Sequence, residues 1–340
     1  MRRPCLALLV GALCSVPAAA TAQDDGELRL MREPHSYVDV VDAFDEDDPF
    51  DINATAGFLR RWTYGTIQRE NNTGARDPNR MSRNWTDVAH HEHSRNILQL
   101  GLEVGVFRDL AVYKRLPIIL SDDRSLATTA GGDLSLLATD DSLPGDDPGR
   151  SAPPLFDVPF QSPTRSGFDH VVAGVAWSIF NQNREPYLPT WLLMIEGRFN
   201  LGDPMIPCSA GAQGCREWSQ NAAGEWDYTD GGGDAGETRG TNALRIETRA
   251  SWRTRYIEPY AGLAFQVEWP DAADRFFLPA GDLSGFINDQ PPIRGQLTGG
   301  MAIVPWENRA DWQRFVVDLR VMGRYVSEGR AYSPLFDALG

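Results

Sequence analysis

The stretch 98–106 constrains the fold of this chain more than any other. It reads LQLGLEVGV, so every second residue is apolar and the residues between them are Gln, Gly or Glu. A period of two predicts a β-strand with one apolar face, whereas a helix would place Gln99 and Glu103 on that face. After residues 107–109 the alternation resumes, and Pro117 would break a helix there. The sequence therefore predicts a tight β-hairpin.

The same alternation recurs along the chain and predicts nine strands. Their approximate bounds are 52–68, 98–106, 110–118, 171–179, 191–199, 244–252, 257–269, 297–303 and 315–325. The connections are alternately short (near 107–109, 181–186, 253–255 and 307–310) and long (69–93, 121–166, 201–240 and 270–293). Strict alternation of this kind is typical of transmembrane β-barrels, which have short periplasmic turns and long outer loops.

Aromatic residues cluster beside the short turns. They are Phe107 and Tyr113, Trp177 and Trp191, Trp252 and Tyr256, and Trp306 and Trp312. Such rings form the girdle of a barrel at the membrane interface. A secreted, soluble β-sandwich would also alternate, but it would have little reason for the aromatic residues or the unequal loops. We therefore expect an all-β fold, an antiparallel up-and-down transmembrane β-barrel, with the sandwich as the alternative.

The hairpin GLEVGVFRDLAVYKRLP resembles those of Gram-negative outer-membrane β-barrel proteins of the porin-like or transporter-like kind. The likeness is one of strand pattern and extends over most of residues 50–327. It implies a location in the outer membrane, contact with its lipid and lipopolysaccharide, and insertion by the barrel-assembly machinery. Lys114 departs from the pattern, because it falls on the face that would meet lipid, close to a short turn.

An odd number of strands is a second departure. Single-chain bacterial barrels have even numbers, and the sequence ends in YSPLFDALG, which resembles the start of an outer loop. We therefore expect the barrel to be incomplete at the C-terminal end of this sequence, or to contain a strand pair that the pattern does not reveal.

The N-terminus has the parts of a secretory signal peptide. Two arginines precede an apolar core at Leu6–Val16, and an A-x-A cleavage motif precedes Gln23. A lipoprotein signal ending at Cys14 is the alternative, but Leu13 stands where a small residue is required. We expect a signal peptide at 1–22, an acidic periplasmic segment at 23–50 and the barrel domain at 51–340.

The net charge excludes one class of function, and the cysteine content predicts one covalent link. The net charge is −15, or −17 without Arg2 and Arg3 of the signal, which argues against binding to nucleic acid. Cys208 and Cys215 are the cysteines that follow the signal, and they flank a flexible Ser/Gly/Ala-rich segment. In an oxidising compartment this spacing predicts a disulfide.

The inward faces of the strands carry most of the candidate site. Thirteen charged residues are expected to line the lumen: Arg61, Glu103, Arg115, Glu196, Arg198, Arg245, Glu247, Arg249, Glu258, Glu268, Asp318, Arg320 and Arg324. In an open barrel they would set solute or ion selectivity, whereas in a narrow one they would pair and lock the interior. We expect a pore or transporter for small polar solutes. The alternative is a structural or adhesive protein that binds through its outer loops.

Other chemistry has less support in the sequence. His91 and His93 share one strand face and could hold a transition metal, although a solvated polar patch is the preferred explanation. No GxSxG motif occurs, and outside that patch no Ser or Asp has a clearly placed His partner. We therefore expect no enzymatic activity and no cofactor.

Overall fold

The structure of the protein is a computed structural model. It describes residues 37–38, 51–70, 85–130, 156, 158–182, 184–210, 215–220, 226–230, 234–254, 256–271, 290–308, 313–333 and 335–338. The expected signal peptide and the acidic residues of segment 23–50 lie outside these ranges.

Every regular element of the described residues is a β-strand. In chain order they are β1 (Ile52–Glu70), β2 (Trp85–Phe107), β3 (Leu110–Thr128), β4 (Phe160–Gln161), β5 (Arg165–Phe168), β6 (His170–Phe180), β7 (Thr190–Asn200), β8 (Arg216–Gln220), β9 (Trp226–Asp230), β10 (Thr241–Ser251), β11 (Ile257–Pro270), β12 (Arg294–Asn308) and β13 (Gln313–Val326). No helix in the described part of the chain is long and apolar enough to cross a membrane.

Nine long strands form one antiparallel sheet in the order β1-β2-β3-β6-β7-β10-β11-β12-β13. Each long strand pairs with its neighbours in the sequence, and the sheet curls into half a barrel. The predicted all-β class, the nine strands and the alternating turn lengths are confirmed. The turn between β2 and β3 is the tightest, and Asp109 adopts a positive φ of 54° there.

Two predicted loops are shorter than the sequence pattern indicated. The connection predicted at 69–93 spans 71–84, because β2 begins at Trp85, and β3 continues to Thr128. Apolar alternation is lost in these extensions, but the backbones of residues 89–96 and 121–128 pair in regular register. The extra length is thus held by ladder hydrogen bonds and polar side chains, which hydrophobic periodicity does not detect.

The two faces of the sheet differ sharply in polarity. On β11 the convex face presents Leu263, Phe265 and Val267, and Leu263 is 57% exposed. The concave face of the same strand presents Glu258, which is 1% exposed, and Glu268, which is 4% exposed. The protein is therefore apolar on its exposed face and charged where it is buried, the reverse of a water-soluble sheet.

The end of the sheet that carries the long loops holds a small apolar core. Val88, Leu126 and Phe156 pack there against Leu335 and neighbouring side chains. Cys208 and Cys215 form the predicted disulfide, with their Cα atoms 4.4 Å apart. Residues 201–210 and 335–338 are therefore packed parts of the loop end of the half-barrel.

Candidate functional site

The concave face carries a series of ion pairs, which lie along one strand, between neighbouring strands or across one intervening strand. On β3 and β7, Arg115 pairs with Glu196, and the Tyr113 hydroxyl donates to the same carboxylate at 3.1 Å. Gly174 lies beneath the Tyr113 ring, where a Cβ would collide with the phenol. A residue without a side chain on β6 thus lets the tyrosine lie flat against the sheet and reach Glu196.

Glu247 on β10 binds two arginines of its own strand. Its carboxylate accepts from Arg245 Nη2 at 2.6 Å and from Arg249 Nε at 2.6 Å. Residues two apart in a strand share a face, so the Arg-Glu-Arg order at positions 245, 247 and 249 produces this bridge directly. Glu247 is 4% exposed, and the two guanidiniums offset the cost of its burial.

Glu268 on β11 has a larger set of cationic partners. Arg294 Nη1 lies 2.6 Å from Oε1, and Arg198 Nη2 lies 3.3 Å from Oε2. Arg239, in the connection before β10, reaches the same carboxylate at 3.5 Å. Three guanidiniums around one carboxylate leave an excess of positive charge at the loop end of the concave face.

The side chains near β13 form a further pair. Arg320 Nη2 lies 2.8 Å from Asp318 Oδ2, and the Tyr260 hydroxyl donates to Asp318 Oδ1 at 2.5 Å. The ring of Tyr37, from the segment that precedes β1, packs against the Tyr260 ring at a tilt of 39°, with the centroids 5.0 Å apart. The expected periplasmic segment 23–50 thus has at least one residue in contact with the concave face.

The remaining predicted lumen residues vary in environment. Glu258 pairs with Arg253 at 3.3 Å, and Glu103 is half-buried on β2. Arg61 on β1 and Arg324 on β13 lie on the two edge strands and are exposed. Whether these side chains line a conducting lumen stays a prediction.

Three arginines of this face were missed by the sequence pattern. Arg239 and Arg253 lie outside the alternating strands, and Arg294 precedes the predicted start of its strand. With them, the set contains ten arginines and six carboxylates. The face is therefore cationic, although the chain as a whole is acidic.

A cleft of about 420 Å³ opens on this face. Its polar lining comes from opposite sides of the curl: Thr55, Gln99, Arg115, His170, Glu196, Arg198, Arg245 and Gln266. Because Thr55 on β1 and Gln266 on β11 line one space, the cleft follows from the curvature of the sheet. It is large enough for a small solute and has both hydrogen-bond donors and acceptors.

The histidine patch lies on the extension of β2. The His91 and His93 ring centroids are 6.4 Å apart, and His93 Nε2 lies 3.0 Å from Asp122 Oδ1. Arg95 also contacts Asp122, at 3.3 Å. Among the described residues, no three His, Cys, Asp or Glu side chains are grouped as a metal site would need. Metal binding by His91 and His93 stays a hypothesis, and the ion pair accounts for His93.

The buried carboxylate of Asp337 connects several segments at the loop end of the sheet. Asp337 accepts from Arg124 Nη1 at 3.1 Å and from Arg165 Nη1 at 3.1 Å. The backbone N–H of Cys208 donates to Asp337 Oδ1 at 3.3 Å. This carboxylate therefore joins the segment after β13, the extension of β3 and the disulfide loop.

Glu237 and Tyr332, which lie outside the long strands, have raised pKa values. Burial raises the pKa of Glu237, and the charges of Asp203, Asp234 and Asp169 raise it further. Burial likewise raises the pKa of Tyr332, whose hydroxyl donates to the Met205 carbonyl at 3.4 Å. The surroundings of Glu237 in this loop region thus favour its neutral form.

Comparison with known proteins does not assign the chain to a family. No protein-family model matches the sequence, and no curated protein matches it. Function must therefore be argued from the two faces of the sheet and from the chemistry of the concave one.

Proposed function

We propose that the protein is an outer-membrane β-barrel that passes small polar solutes through an Arg/Glu-lined lumen. The observation that supports this is the inverted polarity of the sheet, with large apolar side chains exposed and charged ones buried. Exposing a continuous apolar surface to water costs roughly 25 cal/mol per Å². The hydrocarbon core of a membrane would remove this cost, because it solvates apolar side chains.

The positions of exposed aromatic rings support a membrane of ordinary thickness. Phe315 and Tyr325 lie near the two ends of β13, ten residues apart, and both are exposed. At a rise of about 3.4 Å per residue and a tilt of about 45°, this separation spans roughly 24 Å along the membrane normal. Barrels have an apolar band of about 25 Å between two aromatic girdles.

Exposed rings at the loop ends of other strands fit the same band. Phe199 and Trp269 are exposed there, while Trp177, Trp191 and Trp306 are exposed near the short turns. Lys114 lies on the convex face four residues from the start of β3, close enough to the turn for its ammonium to reach the interface. Lipid and lipopolysaccharide are the surroundings that this band requires, and the barrel-assembly machinery is the partner that would insert it.

Passage of solutes is the function that the concave face supports best. The cleft has polar and charged side chains on opposite sides of the curl, and its arginines exceed its carboxylates. Rings of arginine favour anions in pores of this kind. We therefore expect small polar solutes, anionic ones above all.

Single-channel recording in planar bilayers tests this function. The purified protein should give discrete conductance steps with a preference for Cl⁻ over K⁺. Arg245→Ala, Arg249→Ala and Arg320→Ala should each lower that preference, and Glu247→Gln should raise it, by roughly two- to fivefold in permeability ratio. Glu185→Gln, which makes the same charge change in the exposed turn 181–189, is the matched control and should change nothing.

A structural or adhesive role is the second candidate. Most of the charged side chains on the concave face are paired, and Asp337 packs the loop end firmly. Bilayers that stay silent although the protein is folded and inserted would favour this role over transport.

A further inference from the structure

The Tyr37 ring occupies a cage on the concave face built from three strands. Arg249 Cζ lies 4.5 Å from the ring centroid and Arg320 Cζ lies 5.1 Å from it. The Tyr260 ring packs against it at a tilt of 39°, with the centroids 5.0 Å apart. Two guanidiniums and a tilted phenol ring surround the Tyr37 ring, which is an arrangement that recognises aromatic groups through cation–π and ring–ring contacts.

The cage also accommodates the hydroxyl group and the backbone carbonyl group of Tyr37. The Tyr37 hydroxyl lies over Gly262, where a Cβ would collide with it, so the missing side chain provides the space for the phenol oxygen. At the other end, Arg249 Nη1 donates to the Tyr37 carbonyl oxygen at 2.7 Å. The cage therefore binds a hydroxylated ring and, beside it, an oxygen acceptor.

The guest comes from outside the sheet. Tyr37 belongs to the segment before β1, whereas Arg249, Tyr260 and Arg320 belong to β10, β11 and β13. None of the described strands depends on Tyr37 for its pairing. A cage whose occupant can leave without breaking the sheet can take another occupant of the same chemistry.

We propose that this cage is a binding site for small aromatic carboxylates, and that Tyr37 is an internal competitor for it. A ring bearing a hydroxyl would take the place of the Tyr37 side chain, with its phenol oxygen over Gly262. Its carboxylate would take the place of the carbonyl oxygen that Arg249 now binds, and the excess of arginines on the concave face favours an anion there. The inference rests on the proposed function only in naming the solute, since binding itself requires no conductance.

Titration of 3-(4-hydroxyphenyl)propionate, which has the same two-carbon spacing between ring and carboxylate as tyrosine, into the full-length protein in detergent micelles, followed by calorimetry, tests the proposal. Tyr37→Ala should bind the ligand at least about tenfold more tightly than the wild type, because an internal competitor lowers the apparent affinity in proportion to its occupancy. Adding Arg249→Gln to that variant should abolish the gain. 3-Cyclohexylpropionate, which has the charge without the aromatic ring, should bind at least about tenfold more weakly than 3-(4-hydroxyphenyl)propionate.

Three results would overturn the proposal. They are equal affinities of wild type and Tyr37→Ala, equal affinities for the two carboxylates, and loss of folding in both Tyr37→Ala and Tyr37→Leu, which would make Tyr37 a structural side chain. Folding is checked by strand content in circular dichroism. A protein that binds 3-(4-hydroxyphenyl)propionate but conducts nothing would refute the transport function alone, and one that conducts without binding would refute the cage alone.

Discussion

On the concave face, single carboxylates each bind several arginine side chains. Glu247 and Glu268 each hold at least two guanidiniums, and each is almost fully buried. Burying a lone carboxylate costs several kcal/mol. Removing one arginine partner therefore lowers the stability by more than the intact ion pair contributes to it. The arginines here thus contribute to stability as well as to any selectivity.

Asp337 allows the sharpest test at this scale. Asp337→Ala leaves Arg124 and Arg165 buried without their shared carboxylate, and we expect a loss of about 3–5 kcal/mol in the stability of the loop end. Hydrogen exchange in residues 121–126 and 165–168 measures it. Glu92→Gln, an exposed change on the neighbouring strand, is the control and should leave exchange unaltered. Unchanged protection in Asp337→Ala would contradict the structural role of this carboxylate.

Strands and loops differ in how far the sequence could predict them. Period-two alternation located all nine long strands, because each has one apolar and one polar face. The extensions of β2 and β3 and the short strands β4, β5, β8 and β9 have no such period. The placement of β4 and β5 follows from pairing with β3, which is distant in sequence, whereas β8 and β9 pair only with each other among the described strands. The disulfide could be predicted from the spacing of Cys208 and Cys215, together with the export expected from the N-terminal sequence.

The candidate site was partly predictable for the same reason. Arg245, Glu247 and Arg249 follow from alternation in one strand, but no pattern links Tyr37 to Arg249 or Asp337 to Arg165. Those contacts depend on how segments outside the strands fold back onto the sheet.

The segment 234–240 has a pH dependence whose direction follows from Glu237. The pKa of Glu237 is raised in the folded state. Its contribution to the free energy of unfolding is therefore fully present below the pKa of the unfolded state. That contribution is lost as the pH rises through the pKa of the folded state. We therefore expect slower hydrogen exchange in this segment at pH 5 than at pH 7, after correction for intrinsic rates. Glu237→Gln should be protected at both pH values. Faster corrected exchange in the wild type at pH 5 would contradict this assignment.

At the scale of the whole molecule, the half-barrel places an apolar convex face around a cationic interior. An acidic net charge of −15 alone would not suggest an interior that favours anions, because the excess of acidic residues lies outside the concave set. In the proposed function, the concave face determines the solute chemistry and the convex face determines the membrane location.

Spin labels on alternate residues of β11 test the central claim, that the convex face contacts lipid. Cysteines are introduced one at a time at Leu263, Ala264, Phe265 and Gln266, labelled with a nitroxide and reconstituted into liposomes. We predict high accessibility to oxygen and low accessibility to a water-soluble nickel chelate at 263 and 265, with oxygen accessibility lower at 264 and 266. Water accessibility at 263 and 265, or failure of the folded protein to enter liposomes, would contradict the account and favour a soluble β protein.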